Sequence, residues 1–177
     1  MKSYEKDLVG YEAVNKAAKN SGAVFFGCDR LYGIPVSELA EDYELNMPVY
    51  NRSVRGLSID DAADVLDTCI YELSPDKIFV NIGENDVVRD GFNIDSFMEK
   101  YEWLLYTIYS NCHCSIYIMP VFADKSGEIN ERLKKMSLKY GCGYIDVKAV
   151  VSPIDFFLKI KRFLRERPIG FYEAMTI

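Results

Sequence analysis

"AVFFGCDRLYG", residues 23–33, is a short apolar run that ends abruptly in a polar turn. A run of this kind, stopped by a glycine, is typical of a strand that is buried on both faces of a parallel sheet. The turn after it contains Cys28, Asp29 and Arg30. Ligands of open parallel sheets bind beyond the carboxyl ends of the strands. We therefore predict that these three residues lie at the functional site.

Four more apolar runs repeat this pattern along the chain. They are "PVYNRSV" (48–54), "KIFVNIG" (77–83), "SIYIMPV" (115–121) and "GYIDV" (143–147). Strands that alternate with helices predict an α/β fold, a three-layer α/β/α sandwich with a flavodoxin-like five-stranded parallel sheet. The ligand loops of such a sheet are residues 27–33, 53–59, 83–91 and 120–127.

Helical periodicity accounts for the stretches between the strands. It predicts helices over residues 3–20, 36–43, 58–73, 94–111, 128–140 and 153–167. The first is expected to bury Leu8, Tyr11, Val14 and Ala18. The third is expected to begin at a Ser58 cap and to bury Ala62, Val65, Leu66, Cys69, Ile70 and Leu73.

The composition restricts the class of protein. The length of 177 residues predicts one domain, spanning 1–177. A net charge of −6 argues against nucleic acid and anionic membranes as partners. The chain shows no signal peptide and no apolar stretch long enough to cross a bilayer, so we predict a cytoplasmic protein. Five cysteines, an odd number, fit a reducing compartment, and their spacing suits no zinc site, so we expect neither metal nor cofactor.

Three loop motifs, taken together and in order, resemble those of the SGNH hydrolases, also called GDSL lipases and acylhydrolases. The motifs are "FFGCDR" after the first strand, "NRSVRGLSIDD" after the second and "IGENDV" after the third. The resemblance covers roughly residues 20–150. It implies the fold of the family, a chemistry of ester hydrolysis, and small acyl esters or acetylated sugars as substrates.

The resemblance also implies roles for single residues. Gly56 matches the glycine whose backbone N–H helps to form the oxyanion hole, and Asn85 matches the asparagine whose amide completes it. Gly83 and Asp86 complete the same Gly-x-Asn-Asp block. Two donors aimed at one point would stabilise the negative charge that develops on an ester oxygen.

The chain departs from the family at the residues that perform the reaction. Cys28 stands where the family has aspartate in Gly-Asp-Ser, and Asp29 stands where it has the serine nucleophile. The late Asp-x-x-His is absent, as if its loop had been deleted. The only histidine, His113, precedes the fourth strand and is predicted to be a surface residue at the amino-terminal edge of the sheet.

A carboxylate is a poor substitute for the missing serine. Its attack on an ester would give an energetically unfavourable anhydride, and its charge would repel the developing oxyanion. We therefore expect the Asp29 side chain to accept hydrogen bonds from the Gly56 N–H and the Asn85 amide, which would fill the oxyanion hole.

These features support three hypotheses. The leading one is a non-catalytic SGNH-fold protein that serves in binding, regulation or assembly. The second is a working esterase or acetylhydrolase in which Asp29, Cys28 or Glu84 replaces the missing groups, as nucleophile or as base for a water. The third is a phospho-receiver-like switch, although the fourth strand lacks the small hydroxyl residue expected at its end.

The predicted partner is a small molecule: an acyl ester, a sugar or an anion. Arg30, Arg52, Arg55 and Arg89 lie in or beside the site loops. Each alone is best interpreted as solvated surface charge. As a group they would attract a carboxylate or phosphate, or one of them would pair with Asp29. Tyr32 and Phe92 are candidate apolar walls of the site. The aromatic helix 94–111 and the terminal "GFYEAMTI" are compatible with contacts between subunits of a homo-oligomer.

Overall fold

One sheet of five parallel strands forms the centre of the computed structural model, which describes residues 4–147 and 152–166. The strand order is β2-β1-β3-β4-β5, which confirms the predicted flavodoxin-like sheet. The strands are β1 (Ala23–Gly27), β2 (Val49–Asn51), β3 (Lys77–Asn81), β4 (Ser115–Ile118) and β5 (Gly143–Tyr144). Most are shorter than the apolar runs because the last residues of each run leave the ladder to form the site loops.

Helices cover both faces of the sheet. They are α1 (Glu5–Asn15), α2 (Asp29–Tyr32), α3 (Val36–Asp42), α4 (Leu66–Cys69), α5 (Glu84–Val87), α6 (Ile94–Cys112), α7 (Gly127–Tyr140) and α8 (Pro153–Arg165). Helices α1, α4, α6 and α7 contribute to the hydrophobic cluster on one face, and α2, α3 and α8 to the cluster on the other. The predicted three-layer arrangement is therefore confirmed.

The sheet buries side chains on both faces because neighbouring residues of a strand point in opposite directions. On the α8 face, Phe79 stacks between Phe25 and Tyr117, with ring centroids 4.6 Å and 4.9 Å away. Phe156 of α8 meets the edge of Phe25 at 6.4 Å. These rings join the three central strands and dock the last helix.

The segment 58–73 is not the regular helix that its periodicity predicts. It consists of a 3₁₀ segment (Ala62–Val65), the short α4 and a second 3₁₀ segment (Tyr71–Leu73). The Ser58 side chain donates to Asp61 instead of capping a helix. The backbone N–H of Ile59 is held by Asp86, in a distant loop. All six residues predicted to be buried here are buried. The buried face of this segment was therefore predicted correctly, but the prediction of one continuous helix was wrong.

The first helix is also shorter than predicted. It ends at Asn15 rather than near residue 20, and the Asn15 side chain donates to the Thr68 carbonyl and to Glu72. Val14 is exposed, and Asp7 is buried on this helix in its place. Residue 3, in the predicted range of the first helix, and residue 167, in that of the last, lie outside the described residues. So does the terminal "GFYEAMTI".

In the part of the chain that the structure describes, no helix combines the length and the apolar character that a membrane crossing requires.

Lys77 connects the start of the central strand β3 to the last helix. Its ammonium group is buried and donates to the carbonyl oxygens of Phe163 at 2.8 Å and Leu164 at 2.9 Å, and also to that of Glu166. The final carbonyls of a helix have no partner within the helix and attract positive charge. Lys77 therefore terminates α8 and holds it against the sheet.

Replacing this lysine tests whether the contact stabilises the fold. We expect Lys77→Met to lower the free energy of unfolding by about 2–3 kcal/mol, because buried carbonyls lose a charged donor. Urea denaturation monitored by circular dichroism measures the change. The matched control is Lys135→Met at an exposed position, which should change stability by less than about 0.5 kcal/mol. Equal effects of the two substitutions would contradict this role.

Candidate functional site

Asp29 is the first residue of α2 and follows β1 at the carboxyl edge of the sheet. One carboxylate oxygen, Oδ2, accepts two hydrogen bonds: from the Gly56 N–H at 3.0 Å and from the Asn85 side-chain amide at 2.8 Å. These contacts confirm the predicted hydrogen bonds from the Gly56 N–H and the Asn85 amide to the Asp29 side chain. The two residues that the resemblance assigns to an oxyanion hole thus converge on one point, and Asp29 occupies it.

The loop after β2 brings Gly56 to this point. Gly56 has a φ of +70°, a conformation that glycine adopts without steric cost. Ahead of it, the Asn51 amide donates to the carbonyls of Leu31 at 2.6 Å and Ile34 at 3.0 Å. Asn51 therefore fixes the end of β2 to the α2 turn that carries Asp29.

The loop after β3 brings Asn85. Gly83 has a φ of +140°, and a Cβ at this position would lie 2.6 Å from Val121 Cγ2, so the tight turn into α5 requires glycine. The Asn85 amide also donates to the Leu57 carbonyl at 3.0 Å. This second bond links the loop to the residue that follows Gly56.

Asp86 connects two of the loops that form the site. Its buried carboxylate accepts the Ile59 N–H at 3.1 Å and 3.2 Å, one distance to each oxygen. Burial raises the pKa of Asp86 from 3.8 to about 6, although the hydrogen bond from Ile59 works in the opposite direction. Asp86 is therefore a positioning residue that joins the loops carrying Gly56 and Asn85.

Glu84 and Cys28 form a second polar cluster beside Asp29. The Cys28 thiol donates to Glu84 Oε2 at 2.8 Å. Glu84 Oε1 accepts from the Asn81 amide at 2.8 Å and from the Phe122 N–H at 3.0 Å. Burial and the Glu84 charge raise the Cys28 pKa far above its ordinary value, and Cys28 has no exposed surface. A buried thiol held in its neutral form is a poor nucleophile, so the structure argues against Cys28 as a catalytic residue.

The four arginines take separate contacts and do not gather as one basic group. Arg52 is buried, with its guanidinium over the rings of Tyr11 and Tyr50, so its interpretation as surface charge was wrong. Arg55 lies 3.4 Å from Asp7 and 4.8 Å from the Tyr32 ring centroid.

Arg89 pairs with Asp60 at 3.4 Å, and Arg30 lines a cleft described below. Among the candidate apolar walls, the Tyr32 hydroxyl donates to Asp7 at 3.0 Å, and Phe92 packs against Phe97. Asp7, on a helix that the sequence analysis did not assign to the site, thus organises part of its rim.

His113 lies at the opposite edge of the sheet. It follows the end of α6 and precedes β4, is exposed, and contacts the Tyr109 ring edge-on at 5.2 Å. The predicted position is confirmed. Because Asp29 follows the carboxyl end of β1, this imidazole is not available to it.

An open cleft of about 530 Å³ lies at the carboxyl ends of β4 and β5, and Arg30, the residue after Asp29, forms part of its wall. Charged groups of both signs line it, among them Arg30, Asp124, Glu131, Lys134 and Asp146, together with the ring of Tyr144. Apart from Arg30, these residues were missed in the sequence. The loop 120–127 was expected at the site, but the sequence offered no motif to single out its members.

The five-stranded parallel sheet with helices on both faces is shared with solved structures of other proteins. No protein-family model and no curated protein matches this sequence. Solved structures do match. A Streptococcus pneumonia protein described provisionally as a platelet activating factor superposes with a TM-score of 0.77 at 16% identity, over 92% of each chain.

Two further structures agree. A GDSL-like lipase from Bacteroides thetaiotaomicron has a TM-score of 0.72 at 14% identity, over 89% of this chain and 97% of its own. A catalytic mutant of an acetylxylan esterase from Geobacillus stearothermophilus has a TM-score of 0.64 at 15% identity, over 84% and 94%. The chain thus has the fold of GDSL-like acylhydrolases and esterases.

The raised pKa of Asp86 predicts a pH dependence of stability. In the folded protein this carboxyl holds its proton up to about pH 6, against 3.8 in the unfolded chain. Its contribution to folding is therefore largest below pH 3.8 and is lost as the pH rises through about 6.

Asp86→Asn should remove this dependence, because an amide oxygen still accepts the Ile59 N–H but carries no charge. We expect the free energy of unfolding to fall between about pH 4 and about pH 7 in both proteins. The fall should be smaller in Asp86→Asn than in the native protein by roughly 1–2 kcal/mol. Urea midpoints at the two pH values measure it. Asp90→Asn, at an exposed position of the same loop, is the control. If Asp86→Asn and Asp90→Asn gave the same pH profile, the buried carboxylate would not be the cause.

Proposed function

We propose that this protein is a non-catalytic member of the SGNH hydrolases that binds a small molecule in the cleft lined by Arg30, Lys134 and Asp146. The observation that carries the proposal is the pair of hydrogen bonds from the Gly56 N–H and the Asn85 amide to Asp29 Oδ2. Both donors of the oxyanion hole are satisfied by the chain itself. An ester carbonyl would have to displace a carboxylate from them before any reaction.

The candidate replacements for the serine and histidine support the same conclusion on chemical grounds. Both oxygens of Glu84 accept hydrogen bonds from the protein, so the chain itself already engages the carboxylate that would serve as base. Cys28 is buried. His113 lies at the far edge of the sheet. Among the described residues, Asp29 therefore has no imidazole beside it, and the Cys28 thiol, which contacts Glu84, is buried, so acyl transfer has no first step.

The cleft supports the binding role. Arg30 and Lys134 supply positive charge, and Asp124, Glu131 and Asp146 supply acceptors. A volume of about 530 Å³ suits a molecule of the size of a small sugar or acyl ester. Mixed charge favours a ligand that has both hydroxyl groups and an acidic group over a purely apolar one.

Ester hydrolysis tests the absence of catalysis. We expect native protein to leave p-nitrophenyl acetate and acetylated xylose unhydrolysed above the buffer rate. Asp29→Ser, Asp29→Ala and Cys28→Ala should be equally inactive, because a serine alone still lacks a base. An active acetylxylan esterase serves as the positive control. Turnover by the native protein that disappears in Asp29→Ala would overturn the proposal and establish a rewired esterase.

Stability provides a second test of the Asp29 contacts. Removing a residue that serves catalysis commonly leaves a protein as stable or more stable, whereas removing a structural bond lowers stability. We expect Asp29→Ala to reduce the free energy of unfolding by roughly 1 kcal/mol or less. Asp29→Asn, which keeps an acceptor oxygen, should lose less. A more stable Asp29→Ala variant would contradict a structural role for this carboxylate.

A further inference from the structure

We propose that Cys112 and Cys114 form a reactive dithiol that closes to an intrachain disulfide by exchange with a low-molecular-weight disulfide. The pair lies at the junction of α6 and β4, at the amino-terminal edge of the sheet and away from Asp29. The proposal is therefore independent of the proposed function.

The backbone brings the two cysteines to a distance that suits a disulfide. Cys112 is the last residue of α6, and His113 after it is left-handed, with φ +49° and ψ +36°. This is the mirror image of helical geometry, so the Cα atoms of Cys112 and Cys114 lie about 5.4 Å apart. Disulfides join Cα atoms separated by about 4.4–6.8 Å.

The left-handed turn is held in place although histidine has a Cβ, which makes this conformation uncommon. The His113 N–H donates to the Tyr109 carbonyl at 2.8 Å, and the imidazole packs edge-on against the Tyr109 ring at 5.2 Å. These two contacts fix the turn, and the turn fixes the spacing of the cysteines on either side of it.

The two thiols are hydrogen-bonded to each other and are not equivalent. Cys112 is partly exposed, and the bond to Cys114 lowers its pKa. Cys114 is buried, and the same bond, together with burial, raises its pKa. The thiolate is the attacking species in disulfide exchange. Cys112 is therefore the attacking residue and Cys114 the resolving one.

The other cysteines are unsuited to this reaction. Cys28 and Cys69 are fully buried, and burial raises the pKa of both, that of Cys69 to about 12. Cys142 is half-buried, and burial likewise raises its pKa to about 12. Cys142 therefore serves as an internal reference for the reactivity of the pair.

The exchange balances in two steps. The Cys112 thiolate attacks one sulfur of glutathione disulfide, forming a mixed disulfide and releasing one glutathione thiolate. The Cys114 thiol gives its proton to that thiolate, and its sulfur attacks Cys112 Sγ and releases the second glutathione, which takes a proton from water. In total, two protein thiols are oxidised to one disulfide, and one glutathione disulfide is reduced to two thiols.

Peptide mapping tests the proposal directly. Trypsin cleavage after Lys100 and Lys125 gives peptide 101–125, which contains Cys112 and Cys114 and no other cysteine; peptide 140–148 contains Cys142 alone. Folded, reduced protein is treated with glutathione disulfide, then unfolded in urea with excess alkylating reagent so that every remaining thiol is labelled, digested and analysed by mass spectrometry. We expect peptide 101–125 to lose two hydrogen atoms and to take up no alkylating group, while peptide 140–148 is fully alkylated.

Variants assign the two roles. Cys114→Ser should stop at a glutathione mixed disulfide on Cys112, and Cys112→Ser should react at least about tenfold more slowly. Cys142→Ser, the matched control, should behave as the native protein. Alkylation of both cysteines in native protein, or a native reaction that stops at the mixed disulfide, would overturn the proposal. So would a disulfide that forms only in urea, because the folded turn would then play no part.

Discussion

The pairing of β1 with β3 is the constraint on which the rest of the structure depends. It runs from Ala23 opposite Lys77 to Gly27 opposite Asn81. A Cβ on Gly27 would lie 2.3 Å from the Asn81 carbonyl oxygen, so the strands can approach this closely only with glycine there. One residue further on, the Cys28 N–H donates to the Asn81 carbonyl oxygen at 3.1 Å. This pairing places Asp29 next to the loop that carries Asn85.

The same pairing fixes the opposite end of the molecule. Lys77, at the start of the β3 register, reaches the last carbonyls of α8, and the stacked rings of Phe25 and Phe79 pack under that helix through Phe156. The position of α8 at one end of the sheet and the position of Asp29 at the other therefore both depend on the register of β1 with β3. A shift of one residue would move the aromatic rings to the other face and separate Asp29 from its donors.

The sequence predicted what depends on local periodicity, and it failed where distant contacts decide. Strand order, helix faces and the meeting of Asp29, Gly56 and Asn85 follow from short patterns and from the family resemblance. The broken helix over residues 58–73 does not, because Asp86, in another loop, holds the Ile59 N–H. Burial of Arg52 between two tyrosine rings likewise depends on α1, which is far away in sequence. The cleft residues were missed because they come from separate elements, among them α7 and β5, and their mixed charges form no motif along the chain.

Cys28, the residue before Asp29, joins the loop after β1 to the loop after β3. Cys28 donates its thiol hydrogen to Glu84 Oε2 at 2.8 Å, and Glu84 is held by Asn81 and Phe122 on its other oxygen. An aspartate at position 28, as in Gly-Asp-Ser, would place a second carboxylate against Glu84 in a buried setting, where like charges repel strongly. The neutral Cys28 thiol avoids that repulsion and gives Glu84 a donor. The contact between Cys28 and Glu84 is therefore part of the packing that joins the two loops.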